Sequence, residues 1–378
     1  TMEEVKTRKK IVSVFGTRPE AIKMVPILRE LGRRPGEFES VVINTAQHTD
    51  LLQPLLDYFE AHIDHDLGVL RPGQSLDQLL ARLLQALDPI LDDVGPDAIL
   101  VQGDTTSALA GALAAHHRQV PVAHIEAGLR SGNRFSPFPE EMNRRLITQL
   151  TSFHMAATQM NVENLHHDGV AAEQIFLTGN PVVDAMNSVL ADIAVSAPVK
   201  KLIDSLEGKR LLVLTTHRRE SFGDVMSGNM RVLRDFVQAH PDMALVFPVH
   251  PNPHVRAECD AIFQHGSQIH LVDPMIYPDF LHLLSKAWLI VSDSGGVQEE
   301  APTLGKALLV LRENTERPEV LACGAGKLVG GDPKVLACML DEIAADQSWL
   351  NAVKQIENPF GQGDAAERIV DALFKVLR

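Results

Sequence analysis

Residues 289–300 read LIVSDSGGVQEE. The apolar run stops at Ser292, two glycines follow, and Gln298, Glu299 and Glu300 open a helical pattern. This is a buried strand entering a helix through a joint nearly free of side chains. Such a joint presents unpaired N–H groups and the positive end of a helix dipole, which together suit an anion such as phosphate. A plain strand-to-helix corner has the same spelling, and acidic residues in a first helical turn also complement the dipole. The stretch matches neither GxGxxG nor GxxxxGK[ST], so neither a dinucleotide cofactor nor ATP hydrolysis is favoured.

Working outward, short apolar and β-branched runs alternate with helical patterns over the whole chain. Candidate strands are 10–16, 40–46, 97–104, 120–128, 153–158 and 175–180, then 210–217, 244–250, 269–274, 288–294 and 307–312. The clearest helical face is in 74–88, carried by Leu76, Leu79, Leu80, Leu83, Leu84 and Leu87. Strand–helix alternation, run through twice, implies an α/β protein of two doubly wound, Rossmann-like parallel-sheet domains. Continuous apolar strands fit, because parallel sheets are covered on both faces. Patterning is weakest over 181–209, so the domains are expected at 1–180 and 181–360. The final helical pattern, 361–378, is expected to pack back on the first.

The length of 378 residues suits two domains. A formal net charge of −14 argues against nucleic acid or an anionic membrane as main partner, though not against a small anion met by a local basic cluster. Cys259, Cys323 and Cys338 are scattered, with no CxxC, so neither a disulfide framework nor a zinc site is indicated. Thr1 ahead of Met2 reads as a cloning remnant, no apolar leader region follows, and no run is long enough to span a bilayer. A cytoplasmic protein is expected.

In open parallel sheets ligands bind beyond the carboxyl ends of the strands. Those ends here are rich in functional groups. GTRPEAIK places Arg18 and Lys23 after the first strand, THRRES places His217, Arg218 and Arg219 after the first strand of the second half, and Arg317 lies in ENTERPE. Several basic residues converging on one cleft read as a pyrophosphate clamp. Asp104 ends ILVQGD, where it could equally cap the following helix. Glu126 ends PVAHIE, where no helix start needs a cap, which marks it for function. Glu140 and Glu141 follow SPFP, and at least one of them could serve only as a helix-start acid. Of the 16 histidines, His217 and His250 end strands; neither the adjacent pairs nor HIDHD (62–66) makes a convincing metal site, so no metal is expected.

Taken together, VFGTRPEAIKMVPIL, AQH, GDTTSALAGALAA, HIEAGLRSGNRFSPFPEEMNR, LTGNPVVDA, THRRESFG, PVHPNP, SDSGGVQEEAPTLGK and RENTERPE resemble, in order, the bacterial non-hydrolysing UDP-N-acetylglucosamine 2-epimerases. The resemblance covers almost the whole chain. It implies a GT-B-like fold with the active site in an interdomain cleft, a homodimer, and interconversion of UDP-GlcNAc and UDP-ManNAc for surface polysaccharides. By the same resemblance Asp104, Glu126 and Glu140 match catalytic carboxylates, and His217 matches a histidine near the leaving pyrophosphate. Arg18, Lys23, Ser294, Gly295, Gly296, Glu300 and Arg317 match UDP-binding positions, Glu300 at the ribose. Gln47, His48, Gln74, Arg218 and His250 match a second, activating substrate site, although Gly73 stands where some activated members carry arginine.

The hydrogen on C2 of the sugar is not next to a carbonyl, so simple abstraction would leave an unstabilised carbanion. Oxidation at C3 would need bound NAD, and no GxGxxG is present to hold it, so no cofactor is expected. The resemblance implies elimination of UDP to 2-acetamidoglucal and re-addition with the proton delivered to the other face. That route needs carboxyl groups for both faces and cations for the departing pyrophosphate. The rival readings are a hydrolysing epimerase that releases N-acetylmannosamine and UDP, a GT-B glycosyltransferase, and a non-catalytic sugar-nucleotide sensor.

Overall fold

The computed structural model describes residues 8–192, 194–217, 222–264 and 266–378. Contacts divide the chain into two compact units, Thr1–Asn187 with Phe360–Arg378, and Ser188–Pro359. The division falls inside the helix Pro181–Ala191, within the weakly patterned stretch that follows residue 180. That helix is continuous and apolar on one side, so nothing in its local sequence announces the change of unit.

The first unit is built on a parallel sheet of seven strands. They are β1 (Lys9–Phe15), β2 (Phe38–Asn44), β3 (His65–Asp66), β4 (Ala98–Gln102), β5 (Val122–Ala127), β6 (Phe153–Ala156) and β7 (Ile175–Leu177), in the order β3-β2-β1-β4-β5-β6-β7. The second unit has six parallel strands, β8 (Arg210–Thr215), β9 (Met243–Pro248), β10 (Ile269–Val272), β11 (Leu289–Ser292), β12 (Leu308–Val310) and β13 (Gly326–Leu328), ordered β10-β9-β8-β11-β12-β13. Each sheet reverses its winding where its first strand meets its fourth, at β1/β4 (Ser13 opposite Leu100) and at β8/β11 (Val213 opposite Ile290). In doubly wound sheets these are the places where loops diverge and ligands bind. The strands β3 and β13 were not expected. At two and three residues, with the sequences HD and GKL, they carry no periodicity and are drawn in by neighbours already in place.

The first unit's core shows why the central strands read as unbroken apolar runs. Val12, Val14, Ile99, Val101 and Val122 are fully buried against the helices Leu76–Val94 and Thr106–His117. The first of these helices starts at Ser75, whose hydroxyl accepts from Gln78 N, and continues through Pro89 to Val94, beyond the expected 74–88. Its buried stripe is Leu79, Leu83, Leu87 and Leu91, whereas Leu76 is exposed. One stripe at i, i+4 suffices to cover a sheet, and the remaining leucines flank it. The helix Ala365–Val376 packs on the helix Arg18–Gly32. Phe374 meets Phe38 edge to face at 6.3 Å, Arg34 pairs with Asp371 at 2.7 Å, and Asp184 accepts from the N–H groups of Ala365 and Ala366 at 3.2 and 2.9 Å. Among the described residues no helix is long and apolar enough to cross a membrane.

Candidate functional site

In the first unit the marked residues lie on the carboxyl ends of β1, β4 and β5. After β1 the chain turns at Gly16, where a Cβ would collide with the Thr45 hydroxyl. The helix Arg18–Gly32 then starts with Pro19 in its first turn, an arrangement suited to proline's fixed φ. Arg18 is partly exposed at this turn, while Lys23, one turn on, is 5% exposed. The Lys23 ammonium is ion-paired with Glu126.

Glu126 is the most constrained of these groups. It is 4% exposed and holds φ at +62°, a left-handed conformation that costs a non-glycine residue energy. The register of β5 against β6 shifts between Ile125 and Ala127 at this residue, which re-aims its side chain. Besides Lys23, its carboxylate accepts from Asn180 Nδ2 at 2.8 Å. Gly103 N donates to Ile125 O at 3.0 Å, so the residues just before Asp104 and Glu126 are tied together.

Asp104 is not the cap of the helix after it; Thr105 is, with its hydroxyl accepting from Ala108 N at 3.0 Å. The Asp104 carboxylate instead takes Arg144 Nη1 at 2.5 Å, and its carbonyl takes Asn143 Nδ2 at 2.9 Å. Both partners come from the helix Glu140–Leu150. Arg144 is 1% exposed and also bonds Glu141 at 2.8 Å. Burial alone would raise Glu141, but Arg144, with Ser131 N at 2.7 Å, brings it below the ordinary carboxylate value. Glu141 is therefore a structural acid, and Glu140, partly exposed at the first helical position, is the one turned outward.

Behind these groups lies a buried polar layer. Gln47 accepts from Ser107 N at 3.0 Å and from its hydroxyl at 2.6 Å, Thr45 and Ser107 hydroxyls meet at 2.8 Å, and His48 N donates to Gly16 O at 3.0 Å. Gln47 and His48 are thus joined to the turns after β1 and β4. Gln74 accepts from Arg82 Nη1 at 2.5 Å.

His124 and His154 sit opposite each other in register on β5 and β6, 0% and 1% exposed. His124 Nε2 donates to Gly103 O at 2.7 Å, supporting the carbonyl that precedes Asp104, while its Nδ1 has no partner among the described residues. Burial pushes the two imidazoles down to about 4 and about 3. The unfolded chain takes up these protons below about pH 6.5, so folding loses roughly 2 kcal/mol per histidine between pH 7 and pH 5. Glu20 acts in the opposite sense. Burial pushes it up to about 7, so its contribution is present at low pH and lost as pH rises through 7, about 2 kcal/mol over the same window. The unfolding free energy from urea titration should therefore fall by a net of roughly 2 kcal/mol from pH 7 to pH 5. In a His154→Gln variant the remaining two contributions nearly cancel; a wild-type slope in that variant would assign the acid loss elsewhere.

In the second unit the strand ends of β8 and β11 are clasped. Thr215 and Ser292 hydroxyls meet at 2.5 Å, Ser294 N donates to Ser292 Oγ at 2.9 Å, and His217 N donates to Asp293 at 2.8 Å. His217 Nε2 and Ser294 Oγ are hydrogen-bonded at 2.8 Å. Ser294 caps the helix Gly295–Thr303. A Cβ on Gly295 would lie 2.7 Å from Arg317 Nη1, and one on Gly296 would lie 3.3 Å from Glu300 Oε1. The joint is bare because the guanidinium and carboxylate expected at a ligand already crowd it.

Arg317 is gripped by acids that sequence reading treated only as dipole complements or passed over. Its Nε donates to Glu299 at 2.5 Å, its Nη1 pairs with Glu316, and Arg312 pairs with Glu316 at 2.7 Å. His250 Nδ1 accepts from Asn252 N at 3.2 Å in the turn after β9. Arg218, like Arg219, lies outside the described residues. Sequence reading also missed Arg144, Asn180 and Glu20. Only the last had a local signal, the T-x-x-E spacing of a capping box in TRPE. Among the described residues no group of three or more His, Cys, Asp or Glu could hold a metal ion.

A family model described as UDP-N-acetylglucosamine 2-epimerase matches residues 29–374. The UDP-N-acetylglucosamine 2-epimerase of Escherichia coli (strain K12) is 42% identical over 374 residues, covering 96% of this chain and 98% of that protein. Among solved structures, the UDP-GlcNAc 2-epimerase from Neisseria meningitidis bound to UDP-GlcNAc superposes with a TM-score of 0.91 at 38% identity, over 97% of this chain and 100% of that one. The S. aureus MnaA–UDP structure gives 0.92 at 37% identity, over 98% and 97%.

Proposed function

Because the chain belongs to the UDP-N-acetylglucosamine 2-epimerase family, we propose that it interconverts UDP-GlcNAc and UDP-ManNAc by the non-hydrolysing route, supplying N-acetylmannosamine units for surface polysaccharides. In this reading the diphosphate binds at Ser294, Gly295 and Gly296 with Arg18 and Arg317, Glu300 takes the ribose hydroxyls, and His217 stands at the departing pyrophosphate. The C1–O bond to UDP breaks as C2 gives up its proton to a carboxylate, leaving a C1=C2 double bond. UDP then re-adds to C1 while C2 is protonated on the opposite face.

Asp104, Glu126 and Glu140 are the candidates for the two proton transfers. The observation that carries the reading is Glu126. A carboxylate held 4% exposed, in a strained left-handed conformation and paired with a buried lysine, is costly to build. Such cost is the mark of a working site. Lys23, a UDP-binding candidate by the resemblance, also neutralises Glu126.

Proton NMR of UDP-GlcNAc in D2O with the purified protein and no NAD tests the proposal. UDP-ManNAc carrying deuterium at C2 is the expected product. Free N-acetylmannosamine plus UDP would move the protein to hydrolytic chemistry, and unchanged UDP-GlcNAc beside a folded, UDP-binding protein would leave the sensor and glycosyltransferase readings.

A further inference from the structure

Glu20 has a local explanation that covers only part of what it does. The box T-x-x-E at a helix start predicts a carboxylate reaching back to the N–H three residues before it. Glu20 Oε2 does so, accepting from Thr17 N at 2.9 Å, Thr17 Oγ1 at 2.8 Å and Gly16 N at 3.0 Å. Its other oxygen reaches across the sheet to a residue 85 positions away, accepting from Thr105 Oγ1 at 2.6 Å. Capping boxes ordinarily sit at the surface, where water solvates the charge. This carboxyl is 1% exposed, and its burial pushes it up to about 7 against four hydrogen-bond donors.

The two segments it joins are the turns at the switch point β1/β4. One carries Arg18, next to Thr17; the other carries Asp104, next to Thr105. Each turn is also held by other parts of the unit: Arg144 and Asn143 bond Asp104, and His48 N donates to Gly16 O. We propose that Glu20 is a positioning residue for the epimerisation, its carboxyl bracing the Arg18 turn against the Asp104 turn so that cation and carboxylate keep a fixed separation. The inference rests on the function proposed above, and it assigns Glu20 no contact with substrate.

Glutamine is the conservative replacement. Its oxygen can take the Gly16 and Thr17 donors while its amide donates to Thr105 Oγ1, so the brace survives without the charge. Glu20→Gln should keep kcat within about threefold of wild type. Glu20→Ala loses both arms, and a displacement of reacting groups by about 1 Å corresponds to a loss on the order of 10²-fold in kcat. All rates are compared well below each variant's melting midpoint. Equal kcat in Glu20→Ala and wild type would reduce Glu20 to a stability cap, and a loss in Glu20→Gln as deep as in Glu20→Ala would show that charge matters rather than bracing; either overturns the proposal. Should Glu20→Ala fail to fold, Glu20→Asp, too short to reach both turns, takes its place with the same expected loss. Amide exchange over residues 98–108 reads the brace without turnover: faster in Glu20→Ala or Glu20→Asp, unchanged in Glu20→Gln. Unchanged protection in every variant defeats the brace even if the enzyme epimerises. A wild type that does not epimerise defeats the reaction instead, and exchange then decides the brace alone.

Discussion

Glu126→Gln is expected to lower kcat for UDP-GlcNAc epimerisation by roughly 10³-fold, the scale of a lost proton-transfer group, while UDP still binds. The substitution keeps the shape of the side chain. Its amide oxygen can accept from both Asn180 Nδ2 and the Lys23 ammonium, two donors that hold the carboxylate now. What disappears is the capacity to take a proton from C2 or return one. Lys23, 5% exposed, is left facing a neutral amide, so stability should fall by about 1–3 kcal/mol. Rates are therefore measured well below the melting midpoint, with UDP titration calorimetry as the control for a folded nucleotide site. Turnover within threefold of wild type would remove Glu126 from the chemistry.

The second large effect concerns stability. Arg317→Ala deletes the cation shared by Glu299 and Glu316, which are 1% and 4% exposed. Glu316 keeps Arg312, but the partner of Glu299 at 2.5 Å is gone. Removing one member of a buried pair leaves a charge without compensation and costs about 3–5 kcal/mol. The melting midpoint should drop by several degrees, and UDP affinity should fall as well, since the lost guanidinium borders Gly295. Arg317→Ala combined with Glu299→Gln should recover part of the stability and none of the affinity. If the double variant melts no higher than the single one, the ion pair is not what holds this corner together.

Much of the architecture is legible in the chain because it depends on neighbours in sequence. Runs such as LLVLT and LIVS in β8 and β11 bury both faces, so hydrophobicity alone marks them as strands of a covered parallel sheet. The glycines at 295–296 and the turn GTRPE announce strand-to-helix joints by composition. Once the strands are read, the rule that ligands gather at their carboxyl ends points to Asp104, Glu126, His217 and Ser294 without coordinates. Where the signal is weak the reading fails for a physical reason. The strands β3 and β13 are too short for a pattern.

The sequence by itself determined the two-sheet α/β architecture and the strand ends on which function would be sought, since apolar periodicity, glycine and proline act over a few residues. Only the tertiary structure decided what each polar group does there. Arg144 neutralises Asp104 from 40 positions away, Lys23 meets Glu126 across 103, and Glu20 reaches Thr105 across 85. It also decided that Arg317, not open space for a ligand alone, fills the room left by Gly295. Pairings of buried charge are set by which strand ends the sheet order brings side by side, and a charge withdrawn from water must find its partner wherever the fold supplies one.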